Sequence, residues 1–162
     1  MNFKEGSKNS LFLLSVIFAG ACLLLSTVIF YGTRGVQAAA ATCYWVGDTS
    51  PADWNDAAHW SSSNGGAGST CDGGVVPGDD DSVIFSSANT NNVTINSAAR
   101  VENFTINASY TGTITVSATN SLSVDSAFTQ HDGVVTTGDQ NISTNSFTLD
   151  GGIFNAGSST IT

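Results

Sequence analysis

The sequence predicts an all-β chain: a right-handed parallel β-helix, or β-solenoid, that follows an N-terminal signal or anchor helix. Three observations carry this. The segment Phe128–Ser143 returns as Phe147–Thr162, with Phe128, Gly133, Gly138 and Ile142 recurring 19 residues later as Phe147, Gly152, Gly157 and Ile161. A fixed offset kept by apolar residues and glycines together marks a repeat architecture. From Val83 onward, short runs alternate apolar and polar residues, as in Val93-Thr94-Ile95 and Phe104-Thr105-Ile106. Such alternation turns one side of each strand inward. After Ala41 no window carries an apolar stripe of helical period. An antiparallel β-sandwich is the alternative fold. The repeat, the short strands and the scarcity of Asn-Gly hairpin signals favour the solenoid.

Three regions follow in chain order. Residues 1–40 read as a signal peptide or an uncleaved membrane anchor. Lys4 and Lys8 precede the uncharged run Leu11–Tyr31, and Val36-Gln37-Ala38 and Ala38-Ala39-Ala40 supply small residues for cleavage. Basic start, apolar run and small-residue site form the secretory pattern. The run is long enough, at about 31 Å as a helix, to span a bilayer. Membrane contact is therefore expected only through residues 11–31, and only if they are retained. Either outcome places the remainder outside, at the cell surface or beyond it.

Residues 41–82 read as an N-terminal cap. They hold all 3 tryptophans, Trp45, Trp54 and Trp60, and the cysteines Cys43 and Cys71. An even pair of cysteines in an oxidising compartment predicts a disulfide. A stacked β-structure needs a cover over its first coil, and tryptophans have the bulk for it. The same rings are candidate stacking platforms for glycans, because aromatic faces suit sugar C–H groups. Asp79, Asp80 and Asp81 follow the turn signal Val76-Pro77-Gly78. They read as a solvated turn or as candidate ligands of Ca²⁺, with Asp48, Asp53 and Asp56 as further oxygen donors. No other cofactor is expected.

Residues 83–162 read as solenoid coils. Phe128, Val134, Ile142, Phe147, Ile153 and Ile161 are expected to face inward. Gly133, Gly138, Gly152 and Gly157 are expected at corners. The Asn-rich turn Asn89–Asn92 is expected to supply left-handed backbone and side chains that stack between coils. The chain stops directly after a strand, so further coils are expected beyond Thr162.

The charge excludes one large class of partners. The chain carries 4 basic and 13 acidic residues. After Ala41 the balance is 12 acidic residues against Arg100 alone. Such a surface repels phosphate backbones, so no nucleic-acid partner is expected.

Tyr44-Trp45-Val46-Gly47, Trp54, His59-Trp60-Ser61, Val76–Phe85 and the Phe-Thr…Gly-Gly…Phe…Ala-Gly-Ser coils resemble the N-terminal part of large bacterial surface proteins. Those are adhesin-like parallel β-helix proteins of the autotransporter-associated β-strand repeat type. The resemblance implies an exported, non-enzymatic structural or adhesin-like role, with glycans or other cell-surface components as partners. It carries over no catalytic residue. Two other functions stay open. One is a carbohydrate-binding module built on the tryptophans. The other is a polysaccharide lyase or hydrolase, for which Arg100 and the carboxylates Asp125, Asp132, Asp139 and Asp150 are the available groups.

Overall fold

The computed structural model describes residues 39–162. The signal or anchor reading of residues 1–40 therefore lies almost wholly outside the described residues. Among the described residues no helix is long and apolar enough to cross a membrane.

The fold is a parallel β-solenoid of about four turns. One sheet holds β1 (Thr42–Trp45), β4 (Ser82–Phe85), β6 (Ala99–Ile106), β8 (Leu122–Gln130) and β10 (Ile142–Leu149), with β3 (Trp60–Ser61) at its outer edge. The second sheet holds β2 (Ala52–Asp53), β5 (Val93–Ile95), β7 (Thr113–Val116), β9 (Val134–Thr136) and β11 (Ile153–Asn155). Each coil contributes one strand to each sheet. Every pairing between coils is parallel. The antiparallel sandwich is thereby excluded: the one antiparallel strand pair is β1 with β3.

The strands form where β-branched and aromatic residues alternate with Thr, Ser and Asn, a composition that fits a pleated, half-buried surface. β8 and β10 each merge two short runs that the sequence separates. The register with their neighbours shifts between Val101 and Asn103 and between Thr144 and Ser146. An extra residue at such a bulge bends the strand without ending it. One arm then runs through Leu122–Val124 and the next through Ala127–Gln130, still within one strand.

Stacking coils in register puts like residues above one another. Cys43, Val83, Phe104, Phe128 and Phe147 form one inward column. The rings of Phe104, Phe128 and Phe147 lie nearly parallel, at centroid distances of 5.1 and 5.0 Å. A second column runs Ala52, Val93, Ile114, Val135, Phe154. Both columns belong to one continuous core.

The second column corrects the expected inward set. Val135 is fully buried and Phe154 packs against the core, whereas Val134 is only half-buried and Ile153 is 56% exposed. Val134-Val135 and Ile153-Phe154 are apolar at both positions, so alternation alone cannot choose the face. Pairing of Val135 with Ile114 chooses it. Ile161, 38% exposed, bridges the buried Ile142 in parallel register and so continues that inward position.

The four predicted corner glycines all have positive φ, between 59° and 74°. Gly152 shows why no side chain fits: a Cβ there would meet the carbonyl oxygen of Gly133, one coil back, at 2.5 Å. The Asn89–Asn92 turn differs from expectation, since positive φ among non-glycine residues falls at Asp72, Ser109 and Thr119 instead. The asparagines act through hydrogen bonds. Asn89 and Asn91 both donate from Nδ2 to the Gly47 carbonyl, at 2.9 and 2.7 Å.

Phe128→Ala removes a buried ring stacked on both sides, and is expected to cost about 3–5 kcal/mol in denaturant unfolding. Val134→Thr, on the outward face, is expected to cost less than about 1 kcal/mol. Equal losses at Val134 and Val135 would contradict the register.

Candidate functional site

The residues singled out for chemistry converge on the head of the stack. β1 pairs with β4 in parallel register, Thr42 with Ser82 and Cys43 with Val83. The predicted cap is therefore also the first coil, and no boundary separates it from the coils at residue 82. Between β2 and β4 the chain makes an excursion through the 3-10 turns Ala57–His59 and Cys71–Gly74 and the strand β3. Cys43 and Cys71 form the predicted disulfide, with Cα atoms 5.4 Å apart and a sequence separation of 28. Closing that loop stabilises the head by about 3.5 kcal/mol on the chain-entropy model.

The three tryptophans fill the space under this excursion. Trp54 and Trp60 meet edge to face at 4.6 Å, Trp45 and Trp60 at 5.2 Å, and Trp54 lies parallel to Phe104 at 6.2 Å. Two of the indole N–H groups donate internally, from Trp45 to the Asn91 carbonyl at 3.1 Å and from Trp60 to the Trp54 carbonyl at 2.9 Å. Each residue is 1% exposed. The glycan-stacking reading of Trp45, Trp54 and Trp60 is corrected on that ground: a sugar cannot reach a ring whose faces are covered by neighbouring rings. No aromatic residue among the described residues is in fact fully exposed.

Asp79, Asp80 and Asp81 do not share a site. Asp81 is fully buried and accepts hydrogen bonds from the backbone N–H groups of Ala41 and Gly78, both at 2.8 Å. It closes the Pro77-Gly78 turn and ties down the entry into β1. Asp79 is exposed and lies 3.8 Å from Arg100 Nη1. Asp79 and Asp80 lie in the turn that precedes β4, and Asp81 alone is buried at the foot of that strand. Among the described residues no group of three or more His, Cys, Asp or Glu side chains could hold a metal ion. The Ca²⁺ reading of Asp79, Asp80 and Asp81 therefore finds no supporting cluster among the described residues. Asp48 and Asp56 flank His59 Nε2, at 3.4 and 3.8 Å, and Asp56 also caps the turn by accepting from Ala58 N–H at 2.9 Å.

Asp72 sits near this carboxylate cluster. Partial desolvation, reinforced by the charges of Asp81 and Asp80, raises its pKa above the ordinary 3.8. Sequence alone could have located Asp81, since it shares the parity of Val83 and Phe85, which face inward.

The groups considered for polysaccharide chemistry are engaged between coils. Arg100 grips Asp125 in the next coil through Nε to Oδ1 at 3.0 Å and Nη2 to Oδ2 at 2.8 Å. The hydrogen bond and charge of Asp125 raise its pKa further. A guanidinium so held does not serve as a proton acceptor. Asp132 accepts from the N–H groups of Ser109 and Gly133 at 3.0 and 2.9 Å. Asp150 bonds His131 at 2.6 Å and Asp139 accepts from Ser158. The asparagines behave alike: Asn92 and Asn141 accept from the N–H groups of Thr113 and Thr160, at 2.7 and 2.8 Å.

No protein-family model, no curated protein and no solved structure matches the chain.

Two outcomes follow for the head. Asp81→Ala leaves two backbone donors without partners, and thermal or denaturant unfolding is expected to show a loss of about 2–4 kcal/mol. An unchanged midpoint would contradict the staple. Asp72→Asn is expected to stabilise slightly at pH 7, by less than about 1 kcal/mol. A carboxylate whose folded pKa is raised destabilises while ionised. The gain should therefore vanish as pH falls through the raised pKa toward 3.8. A gain that grows on acidification would contradict it.

Proposed function

We propose that the chain is an exported, non-enzymatic β-solenoid with a structural, adhesin-like role at the cell surface or outside the cell. The observation that carries this reading is the placement of the outer polar side chains. Arg100, Asp125, Asp132, Asp139, Asp150, Asn92 and Asn141 all bond a neighbouring coil or its corner. Groups so engaged reinforce a rod along its axis, where an enzyme holds its carboxylates free around a cleft.

Supporting features come from sequence and chemistry together. The basic start, apolar run and small-residue site of residues 1–40 direct export. A disulfide at the head suits an oxidising compartment. An acidic, lysine-free surface from residue 41 onward keeps rods apart from one another and from nucleic acid. Glycans or other surface components remain the proposed partners, met through the outer Thr, Ser and Asn faces.

Cell fractionation of a bacterial host producing the full chain tests the reading. The expected result is protease-accessible protein at the surface or in the medium, with Cys43 and Cys71 resistant to alkylation until reduced. Protein held in the cytoplasm with Cys43 and Cys71 as free thiols contradicts it. Turnover of a polysaccharide that is lost in Asp132→Ala contradicts the non-enzymatic part.

A further inference from the structure

Charge on the first sheet lies to either side of its outer face. Arg100, Glu102 and Asp125 gather at the bulged side of β6 and β8, Asp79–Asp81 precede β4, and Asp132 lies past the far end of β8. Two outward columns between them carry no charge. Tyr44, Ile84, Thr105 and Thr129 stand over one another on β1, β4, β6 and β8. Thr42, Ser82, Asn103 and Ala127 form the neighbouring column. Both columns face outward, because the column between them, Cys43, Val83, Phe104 and Phe128, is fully buried. At about 4.8 Å per coil, the strip from Tyr44 to Thr129 runs about 14 Å along the stack.

Tyr44 gives one end of this strip a chemistry that the tryptophans lack. The tryptophan rings pack on His59, on Phe85 and on one another. Tyr44 is half-buried and meets no aromatic ring among the described residues. Its hydroxyl bonds no protein group there either. Buried polar side-chain atoms without a partner are confined to Ser63 and Gln130 among the described residues, so the Tyr44 hydroxyl reaches solvent. Ile84, also half-buried, pairs with Tyr44 in register and widens the apolar spot. Thr105 and Thr129 follow it with hydroxyls repeated at the coil spacing.

We propose, resting on the reading of glycans as partners of the outer faces, that this strip binds an uncharged polysaccharide. One sugar ring lies against Tyr44 and Ile84, and the sugars that follow bond Thr105 and Thr129. Sugar C–H groups suit an aromatic face, and hydroxyls that both donate and accept suit sugar hydroxyls. Charge selects the occupant. A chain with 12 acidic residues against Arg100 alone after Ala41 repels acidic polysaccharides, and it repels second copies of itself. A neutral polymer meets no such barrier on a strip without charge.

Affinity electrophoresis of the purified full chain tests the site, in native gels containing galactomannan, mixed-linkage β-glucan or polygalacturonate. Retardation by a neutral polysaccharide is expected, and none by polygalacturonate. Tyr44→Ala is expected to weaken binding about fivefold or more, and Tyr44→Phe to keep most of it, both with an unchanged unfolding midpoint. Thr105→Lys lays a long charged side chain across the strip and is expected to weaken binding as well. That variant decides if Tyr44→Ala fails to fold. Equal retardation of Tyr44→Ala and the parent chain overturns the site while leaving glycans as partners. No retardation by either neutral polysaccharide overturns the site too, and leaves the exported structural role to cell fractionation. Retardation by polygalacturonate alone contradicts the choice of an uncharged ligand. A concentration-dependent dimer that Tyr44→Ala abolishes assigns the strip to a second copy and overturns the inference.

Discussion

Parallel stacking in register is the constraint on which everything else rests. Each coil must present the same backbone path as the one before it, or hydrogen bonds and side-chain columns fail together. Phe104, Phe128 and Phe147 stay stacked although they are 24 and 19 residues apart in sequence. The difference in length is taken up at the bulges within the strands and at the corners between them. Corners tolerate it because glycines such as Gly133 and Gly152 lie directly over one another and leave no room for a Cβ. Buried polar groups obey the same rule. Thr137 is wholly buried yet bonds the Ala156 carbonyl in the next coil at 3.0 Å.

At the head the exposed edge of β1 is covered. An excursion of the first coil folds back over that coil. β3 supplies an antiparallel partner for β1, the disulfide pins the far side, and the tryptophans occupy the volume that a preceding coil would fill. Gly47 shows how tight the fit is, since a Cβ there would lie 2.5 Å from Trp45 Cζ2. Asp81 fixes where the next coil begins. Bulk, covalent closure and a buried carboxylate therefore serve one purpose, and none of them is left facing a ligand.

The coils from Val83 onward were legible because alternation and the Phe/Gly offset both survive in the sequence. The first coil was not. Cys43 pairs with Val83 across 40 residues, and the excursion between them breaks any period. Alternation was also silent where two apolar residues adjoin, as at Val134-Val135, and the register there comes from the neighbouring strand. The tryptophans were legible as cover but not as buried, because composition does not say whether a ring has a free face. The carboxylates of Asp79–Asp81 looked like one site because sequence adjacency does not say that Asp79 stays exposed in the turn while Asp81 is buried under it. The sequence contains no local sign that Arg100 and Asp125 meet, since their contact follows from the 25-residue step between stacked positions.

Amide hydrogen exchange along the oxidised chain tests the central claim, that the Trp/Cys segment is the first coil of one cooperative stack. The account predicts slow exchange in β1 matching that of β4 and β6. Rapid exchange throughout Thr42–Trp45 beside protected β4 would show the head to be a separate unit, and would contradict it.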